Sequence, residues 1–226
     1  MSDLLFNFYT TPRLSSDSRM SVARMTDQGG AFGLDIHHAL EIDYLIHRYD
    51  VDAIIETGTH VGDTTEYLSK QYSHLPIITC DINDQYLAVA RNRLSGRTNV
   101  SVLNESGEQV VRDYGSRYRQ PLFFLDAHWE EYWPLRDELS NIQRGVVAVD
   151  DCKIHDESYY YDVYDGQCAD YTWAVNASTP TYYNNPEGTY PYPSMQMTRR
   201  AGRMYYCVDI KEDHFKDTNV FYRSLQ

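Results

Sequence analysis

Five short apolar runs, with helix-like stretches between them, constrain this chain more than any other feature. The runs are AIIE (53–56), PIITCD (76–81), NVSVLN (99–104), PLFFLD (121–126) and GVVAVD (145–150). Helical patterns fall near 63–72, 83–95, 107–118 and 131–143. Strands that are apolar throughout and separated by helices indicate a parallel sheet covered on both faces. The expected fold is therefore α/β with a doubly wound sheet. The stretch 83–95 carries the fullest helix signals: Asn83 or Asp84 to cap it, Tyr86, Ala90 and Leu94 on one face, and Gly96 to end it. For the helix at 63–72, Asp63 or Thr64 is the expected cap, with Glu66 placed for a capping box. Residues 37–49 fit an amphipathic helix, and residues 1–36 read as irregular. Two late β-like runs, 202–210 and 218–225, would add antiparallel strands and bring the sheet to seven.

At 226 residues and 42% hydrophobic content the chain is long enough for one domain with a sizeable core. We divide it into an N-terminal arm or lid (1–36), a cofactor-binding core (37–153), a Tyr-rich insertion (154–200) and the C-terminal strands (201–226). A formal charge of −13 argues against nucleic-acid partners, which need Lys and Arg to displace phosphate counterions. No apolar run reaches the ~18 residues of a membrane span, and MSDLLFNFYTTPR lacks signal-peptide order. Cys80, Cys152, Cys168 and Cys207 are scattered, with no CxxC or Cys/His grouping, which fits reduced thiols in a cytoplasmic protein. Asn176-Ala177-Ser178 matches a glycosylation pattern by chance on that reading.

The acids are the informative residues. Four of the five runs end in one: Glu56, Asp81, Asp126 and Asp150, the last followed by Asp151, while the remaining run ends Asn104-Glu105. Ligands of open α/β sheets bind beyond the carboxyl ends of the strands, so these carboxylates should converge. Crowded like charges raise each other's pKa or find a cation, such as a positively charged ligand or a divalent metal. The competing reading is independent helix caps and turns. The first run leads into ETGTHVGDTTEYL, where Gly58 and Gly62 permit a tight turn and close approach to a ligand. The loop is neither GxGxxG nor a phosphate P-loop. Glu56, before the first glycine, would repel a pyrophosphate and suit an amino group, and Asp81 is placed to accept hydrogen bonds from ribose hydroxyls.

ETGTHVG followed by CDIN resembles the S-adenosylmethionine site of class I methyltransferases. FFLDAHW and VVAVDD resemble, more narrowly, the metal-dependent small-molecule O-methyltransferases of the macrocin type, which act on sugar hydroxyls. The resemblance covers roughly residues 50–155. It implies a Rossmann-like methyltransferase sheet and S-adenosylmethionine as cofactor. Glu56, Gly58 and Gly62 would cradle the methionine part, Asp81 would hold the ribose, Asn104, Glu105 and Ser106 occupy the stretch that flanks the adenine, and Thr57, Thr64 and Ile82 would complete the cofactor-binding set. Asp126 would border the cofactor and, with Asp150 and Asp151, bind a divalent metal. His128 stands where the family often has an acidic general base, and a near-neutral pKa suits that role. Three carboxylates without Cys or paired His also suit Mg²⁺, Mn²⁺ or Ca²⁺ on chemistry alone.

Weaker candidates complete the list. His60 lies in the glycine loop, with a solvent-facing role favoured; Trp129 and Trp133 are stacking or core residues; His37 and His38 read as surface residues; His155 follows the acid pair. Residues 154–198 hold nine of the 21 tyrosines and no Lys or Arg, with Tyr164 and Asp165 expected nearest the strand ends. This stretch is an acceptor-binding insertion or lid, or else a packed structural excursion or an oligomer interface, the last implying a homo-oligomer. Arg13, Arg19 and Arg24 would lie in a lid. The functional expectation is methyl transfer to a hydroxyl of a small molecule such as a sugar. The rivals are a nicotinamide-dependent oxidoreductase, a non-catalytic protein of the same fold and a metal-dependent hydrolase.

Overall fold

The computed structural model describes residues 2–11, 30–128, 132–194 and 199–224. Its centre is a sheet of eight strands. In chain order these are β1 (Ala53–Thr57), β2 (Ile77–Cys80), β3 (Val100–Leu103), β4 (Pro121–Leu125), β5 (Gly145–Val149), β6 (Tyr182–Asn184), β7 (Met204–Val208) and β8 (Tyr222–Ser224). They are arranged 3-2-1-4-5-7-6-8. The five apolar runs form the parallel part, and β7, β6 and β8 extend it antiparallel. The expected seven strands become eight because Tyr182–Asn184, inside the Tyr-rich stretch, pairs between β7 and β8. A three-residue strand is too short to show an alternation in the sequence.

Six helices accompany the sheet: α1 (Ser2–Thr10), α2 (Ile36–Arg48), α3 (Asp63–Gln71), α4 (Asp84–Leu94), α5 (Gly107–Tyr114) and α6 (Leu135–Asn141). The strands' alternate side chains supply two apolar cores, one per face. Ile54, Phe124 and Val146 pack with Leu4, Ile42, Leu45 and Leu68, whereas Ile55, Phe123 and Val147 pack with Val110, Val111, Leu135 and Leu139. Asn83 caps α4 by accepting from the amides of Gln85 (2.9 Å) and Tyr86 (3.3 Å). Gly96 does not end it in a left-handed turn; the Arg97 amide closes the chain onto the Leu94 carbonyl at 2.8 Å.

Two expectations are corrected. Residues 2–10 form α1 rather than an irregular arm, with Leu4 and Phe8 buried and Asn7 bonded to Gln71 at 2.9 Å. The cap of α3 is Gly62, in the left-handed region (φ 81°), and not Asp63 or Thr64. Asp63 instead accepts the Gly30 amide (3.0 Å), and Glu66 pairs with Lys70 (2.6 Å) and Arg93 rather than closing a capping box. Arg13, Arg19, Arg24 and Trp129, and with them most of the proposed lid, lie outside the described residues. Among the described residues no helix is long and apolar enough to cross a membrane.

Candidate active site

The strand order reverses around β1, which lies between β2 and β4. A doubly wound sheet opens its ligand crevice at such a point. The amides of Gly58 and Thr59 bond to the Cys80 carbonyl at 3.0 and 2.9 Å, stitching the loop after β1 to the end of β2. Gly58 sits at φ 85°, and a Cβ there would overlap the Asp126 carbonyl oxygen. Only glycine lets this loop press against the end of β4. The buried Asp81 carboxylate accepts the His60 amide and the Asn83 amide, each at 2.8 Å. It thereby fixes the glycine loop, and each oxygen keeps a lone-pair direction for a ligand hydroxyl.

The other residues read as cofactor contacts are dispersed around this crevice. Glu56 is buried beneath the loop, its Oε2 accepting from Thr65 (2.5 Å) and Thr79 (2.6 Å). Burial pushes its carboxyl up to about 7 against the pull of the two hydroxyls. Thr57 is buried among residues of the other sheet face, beside Gly107 and Glu138. Thr64 accepts the Phe32 amide at 3.1 Å. Ile82 is half exposed; Asn104 is exposed and bonds Asp84; Glu105 is half-buried; Ser106 bonds Glu108 at 2.7 Å. His60 is exposed, its ring against Tyr86.

Beyond β4 and β5 the acids divide. One donor atom from each of Asp126, His128 and Asp151 lies within 4.8 Å of the others. Burial, then the charges of Asp150 and Asp151, push the Asp126 carboxyl well above the ordinary range, and burial with Asp150 and Asp162 does the same to Asp151. His128 Nδ1 lies 3.1 Å from Asp162 and 3.9 Å from Asp151. The Asp162 bond, helped by Asp126, raises its pKa to about 9 against the effect of burial. Burial works to raise Asp162, but bonds from His128 and Tyr160 (2.6 Å) outweigh it and hold the carboxyl low.

Asp150 does not join this group. Its Oδ1 accepts Arg203 Nε at 3.2 Å, and its Oδ2 lies 3.7 Å from His38 Nδ1. The three acids read from the sequence as metal ligands therefore do not all face one another: Asp150 is tied to Arg203, which β7 brings against it by pairing with β5, and the potential donor atoms that lie together are those of Asp126, His128 and Asp151. Arg203 is buried, and also bonds Asp35 (2.6 Å) and Glu41 (3.0 Å), both fully buried. Arg200 adds a second guanidinium on Asp35 at 2.9 Å, and the Tyr205 hydroxyl reaches Glu41 at 2.6 Å. Burial raises Asp35, yet the two arginines together hold it far below the carboxylate range.

Several expectations change here. His38 is buried, not on the surface, packed against Phe32 and Phe124, and burial with Arg203 drives its pKa well down. His37 stacks on Tyr190 at 3.9 Å. Tyr164 and Asp165 form a tight turn, Tyr164 pairing with Gln167; Asp162 is the insertion's residue at the site. His155 is exposed and faces Tyr183, and Trp133 packs on Trp173. Asp162 at the rim, and Asp35, Glu41, Arg200 and Arg203 beside it, are the charged residues that sequence reasoning missed. Their partners are distant in the chain and leave no local pattern.

No family model matches the sequence, and the search of curated proteins finds no relative. Solved structures do match. Spermidine synthase from Thermotoga maritima aligns over 82% of this chain and 63% of its own, at TM-score 0.54 and 12% identity. A mutant of MtNAS aligns over 78% and 61%, at 0.50 and 10%. A protein provisionally named an O-methyltransferase, from Klebsiella pneumoniae, aligns over 92% and 89% at 0.49 and 16%. This chain thus spans less than two thirds of the length of the first two proteins. The first two likenesses establish a shared α/β fold, its mostly parallel sheet closed by antiparallel strands.

Proposed function

We propose that this chain transfers a methyl group from S-adenosylmethionine to a hydroxyl of a small molecule such as a sugar or other polyol, assisted by a divalent metal. The observation that carries this reading is the meeting of the glycine loop, Asp81 and the Asp126–His128–Asp151 rim at the carboxyl ends of neighbouring strands. A sulfonium with an attached ribose is the kind of guest such a negative, hydroxyl-accepting crevice suits. The cofactor, when bound, supplies an electrophilic methyl on positive sulfur. The donor set of two carboxylates and an imidazole fits a divalent metal, which would lower the acceptor hydroxyl's pKa and orient it.

This chain's own residues then have distinct tasks. Asp81 accepts the ribose hydroxyls while its bonds to His60 and Asn83 keep the loop in place. Gly58 allows backbone to line the cofactor where a side chain would intrude. His128, its ring held by Asp162, would supply the nitrogen ligand of the metal. Beside Asp162 its pKa is raised to about 9, which does not suit the general base expected of it, and the proton of the acceptor hydroxyl would pass to solvent as the oxygen–methyl bond forms. Asp126 and Asp151 would supply the metal's carboxylate ligands. Positioning of two substrates in line supplies much of the acceleration.

The test is a screen of hydroxylated metabolites with a coupled homocysteine readout. S-adenosylhomocysteine should appear only when an acceptor is present, and His128→Ala, by weakening the metal, should lower the rate at limiting metal by at least about tenfold. Hydrolytic turnover without an acceptor would favour the metal-dependent hydrolase instead.

A further inference from the structure

We propose that Asp126, His128 and Asp151, with Asp162 fixing the His128 ring, form a mixed nitrogen–oxygen site that selects a later transition ion such as Fe²⁺, Co²⁺ or Zn²⁺ over Mg²⁺, Ca²⁺ and Mn²⁺. It rests on the proposed reading only in taking this rim as a metal site, and is independent of methyl transfer.

Three observations carry it. The first is the donor set. Mg²⁺ and Ca²⁺ take oxygen ligands, whereas imidazole suits the later divalent ions. The regrouping that ties Asp150 to Arg203 and brings in His128 exchanges an oxygen donor for a nitrogen donor. The donor atoms lie within 4.8 Å of one another. Ligands opposite each other across bonds of about 2.1 Å stand about 4 Å apart, so side-chain torsions alone can close the set.

The second is the partner of the imidazole. A metal-bound histidine characteristically donates its other ring N–H to a carboxylate, which fixes tautomer and orientation. His128 Nδ1 lies 3.1 Å from Asp162, which leaves the ring's lone pair on Nε2. Asp162 is itself held by its backbone, its amide donating to the Asp151 carbonyl at 3.0 Å. The insertion is thus anchored on a rim residue and presents its carboxylate to the neighbouring one.

The third is charge. Among the described residues neither Asp126, Asp151 nor Asp162 forms an ion pair with a lysine or arginine, although Arg203 and Arg200 serve the acids next door. Asp151 holds φ 53°, a region unfavourable to most side chains, and the two successive carboxylates take different partners.

The experiment titrates the chelator-treated full chain separately with Mn²⁺, Zn²⁺ and Mg²⁺ by calorimetry, and follows the His128 ring nitrogens by ¹⁵N NMR. Zn²⁺ should bind saturably, at least about 100-fold more tightly than Mg²⁺ or Mn²⁺, and should shift the ring nitrogen signal. His128→Ala should abolish the preference, and Asp162→Asn should weaken Zn²⁺ by about 10–100-fold. Circular dichroism checks that both variants fold. Saturable Mg²⁺ or Mn²⁺ binding as tight as that of Zn²⁺, unaffected by His128→Ala, would overturn the selectivity while leaving the divalent metal of the proposed function. No saturable binding of any ion would overturn both.

Discussion

Two groups of acids lie at the same end of the sheet and meet opposite conditions. Asp35 and Glu41 are fully buried, and two arginines and tyrosine hydroxyls satisfy them. Asp126, Asp151 and Asp162 are more accessible and share one histidine. The boundary falls between Asp150 and Asp151, neighbours in sequence, one bound by Arg203 and the other facing His128. The first group ties α2 to β7 and is structural. The second is left with unbalanced negative charge, the condition in which a site gains by binding a cation. Residue type does not separate the groups; the arginines of the C-terminal segment do.

The largest effect should come from breaking the neutralised group. Arg203→Met would leave the buried Asp35 to Arg200 and take from the buried Glu41 its nearest guanidinium, at a cost of about 3–5 kcal/mol in urea denaturation. A loss under ~1 kcal/mol would remove the structural role. The same group sets an acid limit. The Asp35 pKa is lowered in the fold, so its contribution is present above the ordinary carboxylate pKa near 3.8 and is lost as pH falls toward the folded-state value.

Gly58→Ala tests the other side of the comparison. Its Cβ would strike the Asp126 carbonyl from a left-handed backbone, so the loop and Asp126 must part. We expect a cost of about 1–3 kcal/mol and loss of cofactor binding. Wild-type affinity in this variant would show that the close approach is unnecessary.

Glu138 sharpens the contrast as a buried acid with neither arginine nor metal. It is fully buried, and among the described residues neither of its carboxylate oxygens has a hydrogen-bond partner. Burial lifts its pKa from 4.5 to about 8. The folded state therefore keeps a proton that the unfolded chain releases, and stability should fall as pH rises from about 4.5 to about 8. Glu138→Gln should flatten that slope and gain about 1–3 kcal/mol at pH 8. An unchanged slope would show that Glu138 is not its source.

The smallest effect is the most diagnostic. Asp151→Asn removes one repelling charge from the rim and keeps a residue that tolerates positive φ. The metal-free protein should gain about 1 kcal/mol, or about 2–4 °C in Tm, while losing metal affinity. A destabilised variant would mean that Asp151 is a structural acid like Asp35.

These contrasts explain what could be read in advance. The five parallel strands were legible because burial on both faces demands continuous apolar runs, and Gly58, Asp81, Asp126 and Asp151 followed from the loop and strand-end positions. The division of the acids was not. Arg203 meets Asp35 and Glu41 across 168 and 162 residues, and no local period marks such a pair. His38 looked exposed because histidine is common on surfaces, yet it packs under Phe32. Asp162 was hidden in a tyrosine-rich stretch whose chain path only the paired backbone reveals.

Calorimetric titration with S-adenosylhomocysteine tests the central claim most directly, since that claim is that the unneutralised rim and glycine loop form a cofactor crevice. Saturable one-site binding, weakened at least about tenfold by Asp81→Ala, is the predicted result. No binding to the wild-type chain, with NAD⁺ binding in its place, would contradict it.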